Sequence, residues 1–279
     1  MERNDALAAL VRWHMDAGAD ECMEEAPVDR YAGAGAAAPP RPVAASAPAA
    51  APMPPPIPPA AVPRSPAAPR AALRSRDEMT RSARGAAAAA ATLDELRMAL
   101  AAFDGCTLKH TAASLAFGDG GPHADIMFVG EAPGAEEDRQ GIPFVGPAGK
   151  LLDRMLDAIG MARSQAYITN VVPWRPPGNR NPTDAEIAAC LPFIERHVEL
   201  VAPRMLVLVG GMAAKTLLGM RDGILRLRGR WFTYESVHMV APIPARAILH
   251  PAYLLRSPAQ KREAWIDMLA IRRRLAEEG

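Results

Sequence analysis

A short apolar run, Asp125-Ile126-Met127-Phe128-Val129, ends abruptly in Gly130-Glu131-Ala132-Pro133-Gly134. Like the continuous apolar run Met205–Val209, which is expected of a buried parallel strand, the run reads as a short apolar strand. The glycine at its exit marks the carboxyl end, where loops of an open α/β sheet line the ligand crevice. The loop that follows carries Glu131, Glu136, Glu137 and Asp138, then Gly141-Ile142-Pro143-Phe144-Val145-Gly146. Its acidic character suits no phosphate cradle, and no Gly-Lys-Ser/Thr closes it. A carboxylate and an aromatic held between glycines suit a flat, uncharged ring and a water molecule.

The same alternation continues downstream. Thr92 caps a helix reaching about Phe103, with Glu95 three residues on. A helix follows from Gly149 to Gly160, then a strand over 166–172 that breaks into Pro173-Trp174-Arg175-Pro176-Pro177-Gly178-Asn179-Arg180. Thr183 and Glu186 form a capping box for a helix over 184–201. Met205–Val209 is a third strand, meeting Gly210-Gly211 and a helix over 212–218; a fourth, near 246–249, delivers His250-Pro251-Ala252-Tyr253 before a long terminal helix. Strands joined by helical crossovers predict a three-layer α/β/α sandwich on a central four-stranded parallel sheet.

This folded domain is expected over 92–279. Residues 27–69 hold 14 of the 28 prolines, interleaved with alanine. Such a stretch buries too little apolar surface to offset its ordering entropy, so 26–91 reads as a disordered linker, with nascent helix over 71–91. Ahead of it, within 1–25, Leu7, Leu10, Val11 and Met15 fall at helical spacing over 4–18. That helix would dock on the domain or recruit a protein partner. A net charge of +1 announces no global basic field, although arginines cluster locally at Arg175, Arg180, Arg226–Arg230 and Arg256–Arg262. There is no run apolar enough to span a membrane and no signal-peptide pattern. Cys22, Cys106 and Cys190 form no disulfide framework. A cytoplasmic monomer is expected.

Glu131, Asn170, Gly210-Gly211 and His250 each follow a strand, all at carboxyl ends, and so converge on one crevice. Taken singly, each has a plain structural role: Asn170 a strand-end cap, His250 a turn histidine, Phe144 core, Glu131 an exposed loop acid. Structural polar residues would scatter, whereas these gather.

Five segments in order, Gly130-Glu131-Ala132-Pro133-Gly134, Gly141–Gly146, Tyr167-Ile168-Thr169-Asn170, Arg175–Arg180 and His250-Pro251-Ala252-Tyr253-Leu254-Leu255-Arg256, resemble the uracil-DNA glycosylase superfamily. Among its branches they look most like the bacterial family 4, iron–sulfur-containing enzymes, over roughly residues 95–270. The resemblance implies DNA repair by hydrolysis of the N-glycosidic bond of uracil, with the base flipped from the helix. It implies that Glu131 orients or activates water and that His250 stabilises the departing uracil anion. Phe144 would stack on the base, Asn170 would read its edge, and Ala132, where the family often has Gly, would help close the pocket. Gly210 and Gly211 would hold a DNA phosphate. Leu254 or Leu255 would fill the vacated stack, with Arg256 on the backbone.

One departure concerns the cofactor. The resemblance implies a [4Fe–4S] cluster on four cysteines, but two of those positions are Phe103 and Trp174, leaving only Cys106 and Cys190. Such clusters take four thiolates. The expectation is therefore no cluster, and a compact hydrophobic plug of these four residues instead. Rival readings are a catalytically silent DNA-binding member of the fold and a glycosylase of shifted lesion specificity. A Rossmann-type cofactor enzyme is disfavoured, because no Gly-x-Gly-x-x-Gly follows the first strand.

Overall fold

The computed structural model describes residues 76–277. The helix expected over 4–18 and the linker up to residue 75 lie outside the described residues. Six strands make one sheet in the order β1-β3-β2-β4-β6-β5. The four anticipated strands are β2 (Ile126–Gly130), β3 (Ala166–Asn170), β4 (Met205–Val209) and β6 (Ile243–Ile248), and they pair in parallel. The expected count of four omits the edges. β1 (Asp119–Gly120) pairs antiparallel with β3 and β5 (Trp231–Tyr234) antiparallel with β6, so the sheet is mixed, as many large α/β sheets are.

Alternation within the strands builds the layers. Met127, Val129, Tyr167, Leu206, Leu208, Ala245 and Ala247 face α1 (Arg76–Ala89), α2 (Leu93–Ala102), α5 (Asp184–Val201) and α6 (Gly211–Leu218). Ile126, Phe128, Ile168, Met205, Val207, Val209 and Ile248 face the other way, onto Leu152 and Leu156 of α4 (Pro147–Ala158) and Met268 and Ile271 of α9 (Lys261–Glu277). Both faces are therefore covered, and the fold is a three-layer α/β/α sandwich. Short helices α3 (Ala135–Gln140), α7 (Ile224–Leu227) and α8 (Pro251–Arg256) punctuate the connections.

The folded body starts earlier than residue 92. Helix α1 packs Ala83 and Ala87 into the core beside α5. Arg196 of α5 donates from Nε and Nη2 to the Ala90 carbonyl at 2.9 and 2.8 Å, tying down the chain just past the end of α1. Helix was expected within 71–91, but not its packing into the domain, because α1 buries only small alanines and shows no stripe of large apolar residues.

Helix starts follow their caps. Thr92 Oγ1 accepts from Glu95 N at 3.2 Å while Glu95 Oε2 accepts from Ala91 N at 2.7 Å. At α5, Thr183 Oγ1 accepts from Glu186 N at 3.3 Å and Glu186 Oε2 from Thr183 N at 2.7 Å, the reciprocal capping box. Register then fixes the site. Gly130 lies opposite Asn170, Val129 opposite Leu208, and Val209 opposite Ile248. The residues leaving β2, β3, β4 and β6 thus emerge along one edge of the sheet.

Candidate active site

That edge opens into a cleft of about 410 Å³ lined by Glu131, Ala132, Phe144, Asn170, Gly210, Gly211, His250 and Arg256. The four side chains singled out in the sequence share one cavity. Its floor is Asn170, the last residue of β3, only 4 % exposed. Asn170 Oδ1 is fully buried and has no hydrogen-bond partner among the described residues. An orphaned buried acceptor costs about 1–3 kcal/mol, so this atom is poised for a donor from outside the chain. Its neighbour in register must be glycine: a Cβ on Gly130 would lie 2.4 Å from Asn170 Oδ1 and 2.6 Å from the Phe144 ring.

Phe144 sits at φ +54°, a conformation that costs a non-glycine residue energy unless neighbours impose it. Three devices do so. Arg163 donates to the carbonyls of Phe144 (Nη1, 3.0 Å) and Pro143 (Nη2, 2.7 Å) while its other contacts go to Asp119 and Asp153. Glu137 accepts from Val145 N and Gly146 N at 3.0 and 2.8 Å through Oε1 and from Gly134 N at 3.1 Å through Oε2. Gly149 admits the fold of the loop, since a Cβ there would stand 1.8 Å from the Phe144 carbonyl oxygen. Neither Arg163 nor Glu137 had a role assigned from sequence. The acidic loop is also not all loop: Glu136, Glu137 and Asp138 form the first turn of α3, where carboxylates complement the helix dipole.

His250 caps the N-terminus of α8, and its ring stacks toward Phe144 with centroids 5.7 Å apart and planes at 27°. Its Nδ1 accepts from Ala252 N at 3.1 Å. Burial, reinforced by the positive charge of Arg256 and opposed by Glu137, lowers its pKa to about 4. The imidazole is therefore neutral at pH 7, with its proton on Nε2. Glu131, half-buried on the cleft wall, has its pKa raised by desolvation. A neutral donor, a carboxylate whose basicity is raised, a flat aromatic wall and an unpaired amide meet in one space.

At the rim, Gly210 and Gly211 lead into α6, with a Cβ at Gly210 falling 3.3 Å from His250 Cβ. Arg180 is held bidentate by Glu186 at 2.9 and 2.7 Å, which draws the Glu186 pKa down to about 2. The two leucines expected as alternative wedges part company. Leu254 is 1 % exposed and packs with Leu151, Leu249 and Ala264, so it is core and unavailable to DNA. Leu255 is 41 % exposed, because on a helix of six residues the next side chain points about 100° away.

Phe103, Cys106, Trp174 and Cys190 are all buried in one hydrophobic cluster. The Phe103 ring lies 5.0 Å from that of Phe193 and folds over Gly105, where a Cβ would meet it at 2.2 Å. Cys106 and Cys190 are free thiols in contact; hydrogen bonding from Cys190 lowers the Cys106 pKa, while the same bond and burial raise that of Cys190.

Comparison with known proteins identifies the family. The family model described as the uracil DNA glycosylase superfamily matches residues 117–269. The type-4 uracil-DNA glycosylase of Archaeoglobus fulgidus is 39 % identical over 184 residues, covering 64 % of this chain and 92 % of that protein. That of Thermotoga maritima is 39 % identical over 153 residues, covering 54 % and 77 %. The type-5 enzyme of Pyrobaculum aerophilum is 30 % identical over 147 residues, covering 47 % and 63 %. With the fold, the cleft and more than half of the chain in register, the protein belongs to the uracil-DNA glycosylase superfamily.

Proposed function

We infer that the protein excises uracil from DNA, hydrolysing the bond between uracil N1 and the deoxyribose C1′ to leave an abasic site. One observation carries the reading: the unpartnered Oδ1 of Asn170, at the bottom of a cleft walled by Phe144 and His250. Uracil brings an N3–H donor to that acceptor and an O4 acceptor for the amide NH₂. Cytosine brings an acceptor and a donor in reversed order, leaving two mismatched buried groups at about 1–3 kcal/mol each. The relatives named as uracil-DNA glycosylases support the same substrate.

The chemistry follows from the charges that develop. As N1–C1′ breaks, the sugar becomes cationic and uracil leaves as an anion. Nε2–H of neutral His250 donates to uracil O2, where that negative charge gathers, and a preorganised donor of this kind contributes about 10²–10³ in rate. Glu131 accepts a proton from the water that adds to C1′ and offsets the positive sugar. Phe144 stacks on the everted base, and Ala132 closes the wall against it. Gly210 and Gly211 present backbone N–H groups to a phosphate, Arg256 lies along the backbone, and Leu255 fills the gap left in the stack.

No [4Fe–4S] cluster enters this reading. Four thiolates are needed, whereas only Cys106 and Cys190 are present at the four positions, and Phe103 and Trp174, buried in the same hydrophobic core, offer no donor. That set does not fit the cluster. We place the enzyme in the cytoplasm as a monomer; the free thiols of Cys106 and Cys190 support a reducing compartment. Among the described residues no helix is long and apolar enough to cross a membrane. A protein partner, if recruited, would engage residues 1–25.

The test is excision from an oligonucleotide carrying one uracil, read as alkali-labile strand cleavage, with thymine and cytosine controls. Cleavage at uracil only is expected; His250→Ala slows it by orders of magnitude, and Asn170→Asp admits cytosine. Absence of cleavage by the wild type rejects the reading.

A further inference from the structure

A second concavity lies across α8 from the uracil cleft. Ala252, Tyr253 and Arg256 of α8 line the cleft, while Leu254 turns to the opposite side and floors a groove of about 250 Å³. The groove walls are Leu151 and Met155 of α4 and Ala264 and Met268 of α9. Trp265 stands at its edge, 42 % exposed. A large aromatic left this open is an unusual use of apolar surface, since indoles are highly buried on average.

The charges at the rim are one-sided. Arg154 and Lys261 line the groove and no acidic residue does. Neither cation has an ion-pair or hydrogen-bond partner among the described residues. Arg163, Arg180, Arg196 and Arg228, by contrast, each hold a carboxylate. Two unpaired cations flanking an exposed indole have the composition of a single-stranded nucleic-acid site, in which bases stack on aromatics and the backbone follows basic side chains. The volume is below that of a drug-sized pocket and suits one flat ring. Continuity decides the occupant, because the same short helix separates the two concavities, its Tyr253 and Arg256 lining the cleft and its buried Leu254 closing the base of the groove.

We propose that this groove is a second nucleotide subsite, taking an unpaired base of the substrate strand against Trp265, with its phosphates on Arg154 and Lys261. The proposal rests on the uracil-excision reading. It gives the enzyme a grip on a strand beyond the excised nucleotide and a preference for uracil in single-stranded DNA.

Steady-state excision separates the two ideas. Wild type, Trp265→Ala, Trp265→Phe and the Arg154→Glu/Lys261→Glu pair are compared on a long single-stranded oligonucleotide with one central uracil and on a trinucleotide with the same uracil. On the long strand, Trp265→Ala and the charge pair are expected to raise KM about tenfold with kcat little changed. Trp265→Phe should retain most of the wild-type KM because it keeps a ring, and the charge pair should flatten the salt dependence of KM. On the trinucleotide, which is too short to occupy both subsites, all four proteins should behave alike. Equal KM values on the long strand for wild type, Trp265→Ala and the charge pair overturn the proposal while leaving uracil excision intact. A change in oligomeric state on Trp265→Ala without a KM effect also overturns it, by assigning the groove to a protein contact. Failure of wild type on both substrates rejects uracil excision itself.

Discussion

The backbone N–H of Ala252 donates to Nδ1 of His250 at 3.1 Å, and this one contact decides which proton the imidazole offers to the cleft. An acceptor at Nδ1 leaves the single proton of the neutral ring on Nε2. Burial keeps the ring neutral, with a pKa of about 4 against an ordinary 6.5. A neutral donor matches an anionic leaving group without requiring protonation at physiological pH.

The pH dependence follows with a definite sign. His250 remains the same donor from pH 8 down to about 4, so it sets no limb within that range. Glu131 must be ionised to assist water, and desolvation raises its pKa, so the acid limb of kcat/KM belongs to Glu131. Glu131→Gln should slow excision and abolish that limb; a limb that survives in the variant would assign the titration elsewhere. Stability carries a related signature. Unfolded histidine takes up a proton near pH 6.5 that folded His250 and His197, at about 4 and 3, refuse. Their contribution is complete above pH 6.5 and is lost as pH falls through about 4 for His250 and about 3 for His197. His197→Gln should lessen the drop in denaturation midpoint between pH 7 and 5.

Gly130→Ala is expected to abolish excision while leaving a folded protein. The added methyl would press on Asn170 Oδ1 and the Phe144 ring at 2.4 and 2.6 Å. Overpacking of this kind typically costs about 1–3 kcal/mol, a few degrees in a thermal melt, whereas the displaced amide and ring lie at the reacting base. Excision within twofold of wild type, with a melt unchanged, would show that the cleft relaxes freely.

Arg163→Met removes the donors that hold the Pro143 and Phe144 carbonyls. Phe144 at φ +54° then loses one of its three restraints, and the ring should sample other orientations. KM for uracil DNA should rise with a smaller loss in kcat, and Arg163→Lys, with a single compact ammonium in place of the fork, should recover only part. Equal kinetics for both variants and wild type would remove Arg163 from the positioning of the ring.

Anaerobically purified protein should contain neither stoichiometric iron nor acid-labile sulfide. The Phe103→Cys/Trp174→Cys double variant restores four thiols to one cluster of buried residues and should acquire a brown chromophore. Stoichiometric iron in the wild type would contradict the packed arrangement of Phe103 and Trp174 as a substitute for metal.

Most of the catalytic frame was readable because it lies on runs apolar at every residue. Ile126–Val129 and Met205–Val209 admit no other environment than a sheet covered on both faces, and the polar residues that follow such runs can emerge only at one edge. The edges were not readable for the opposite reason. β1 is two residues long, too short for any period, and β5, Trp-Phe-Thr-Tyr, is half-exposed, so its pattern does not separate from a loop. Arg163 left no trace because its main partners near the site are backbone carbonyls, which have no sequence signature. The choice between Leu254 and Leu255 required the rotation of α8, which neighbouring residues of the same type cannot reveal.

Asn170 belongs to a strand paired on both sides, to β1 and to β2, and not to a flexible connection. Elements of this kind open only with the whole domain, while loops fray far below the melt. Warming should therefore slow turnover by loosening the segments around residues 131–146 well before it lets the wrong base through. Fidelity in such a molecule fails last, together with the fold.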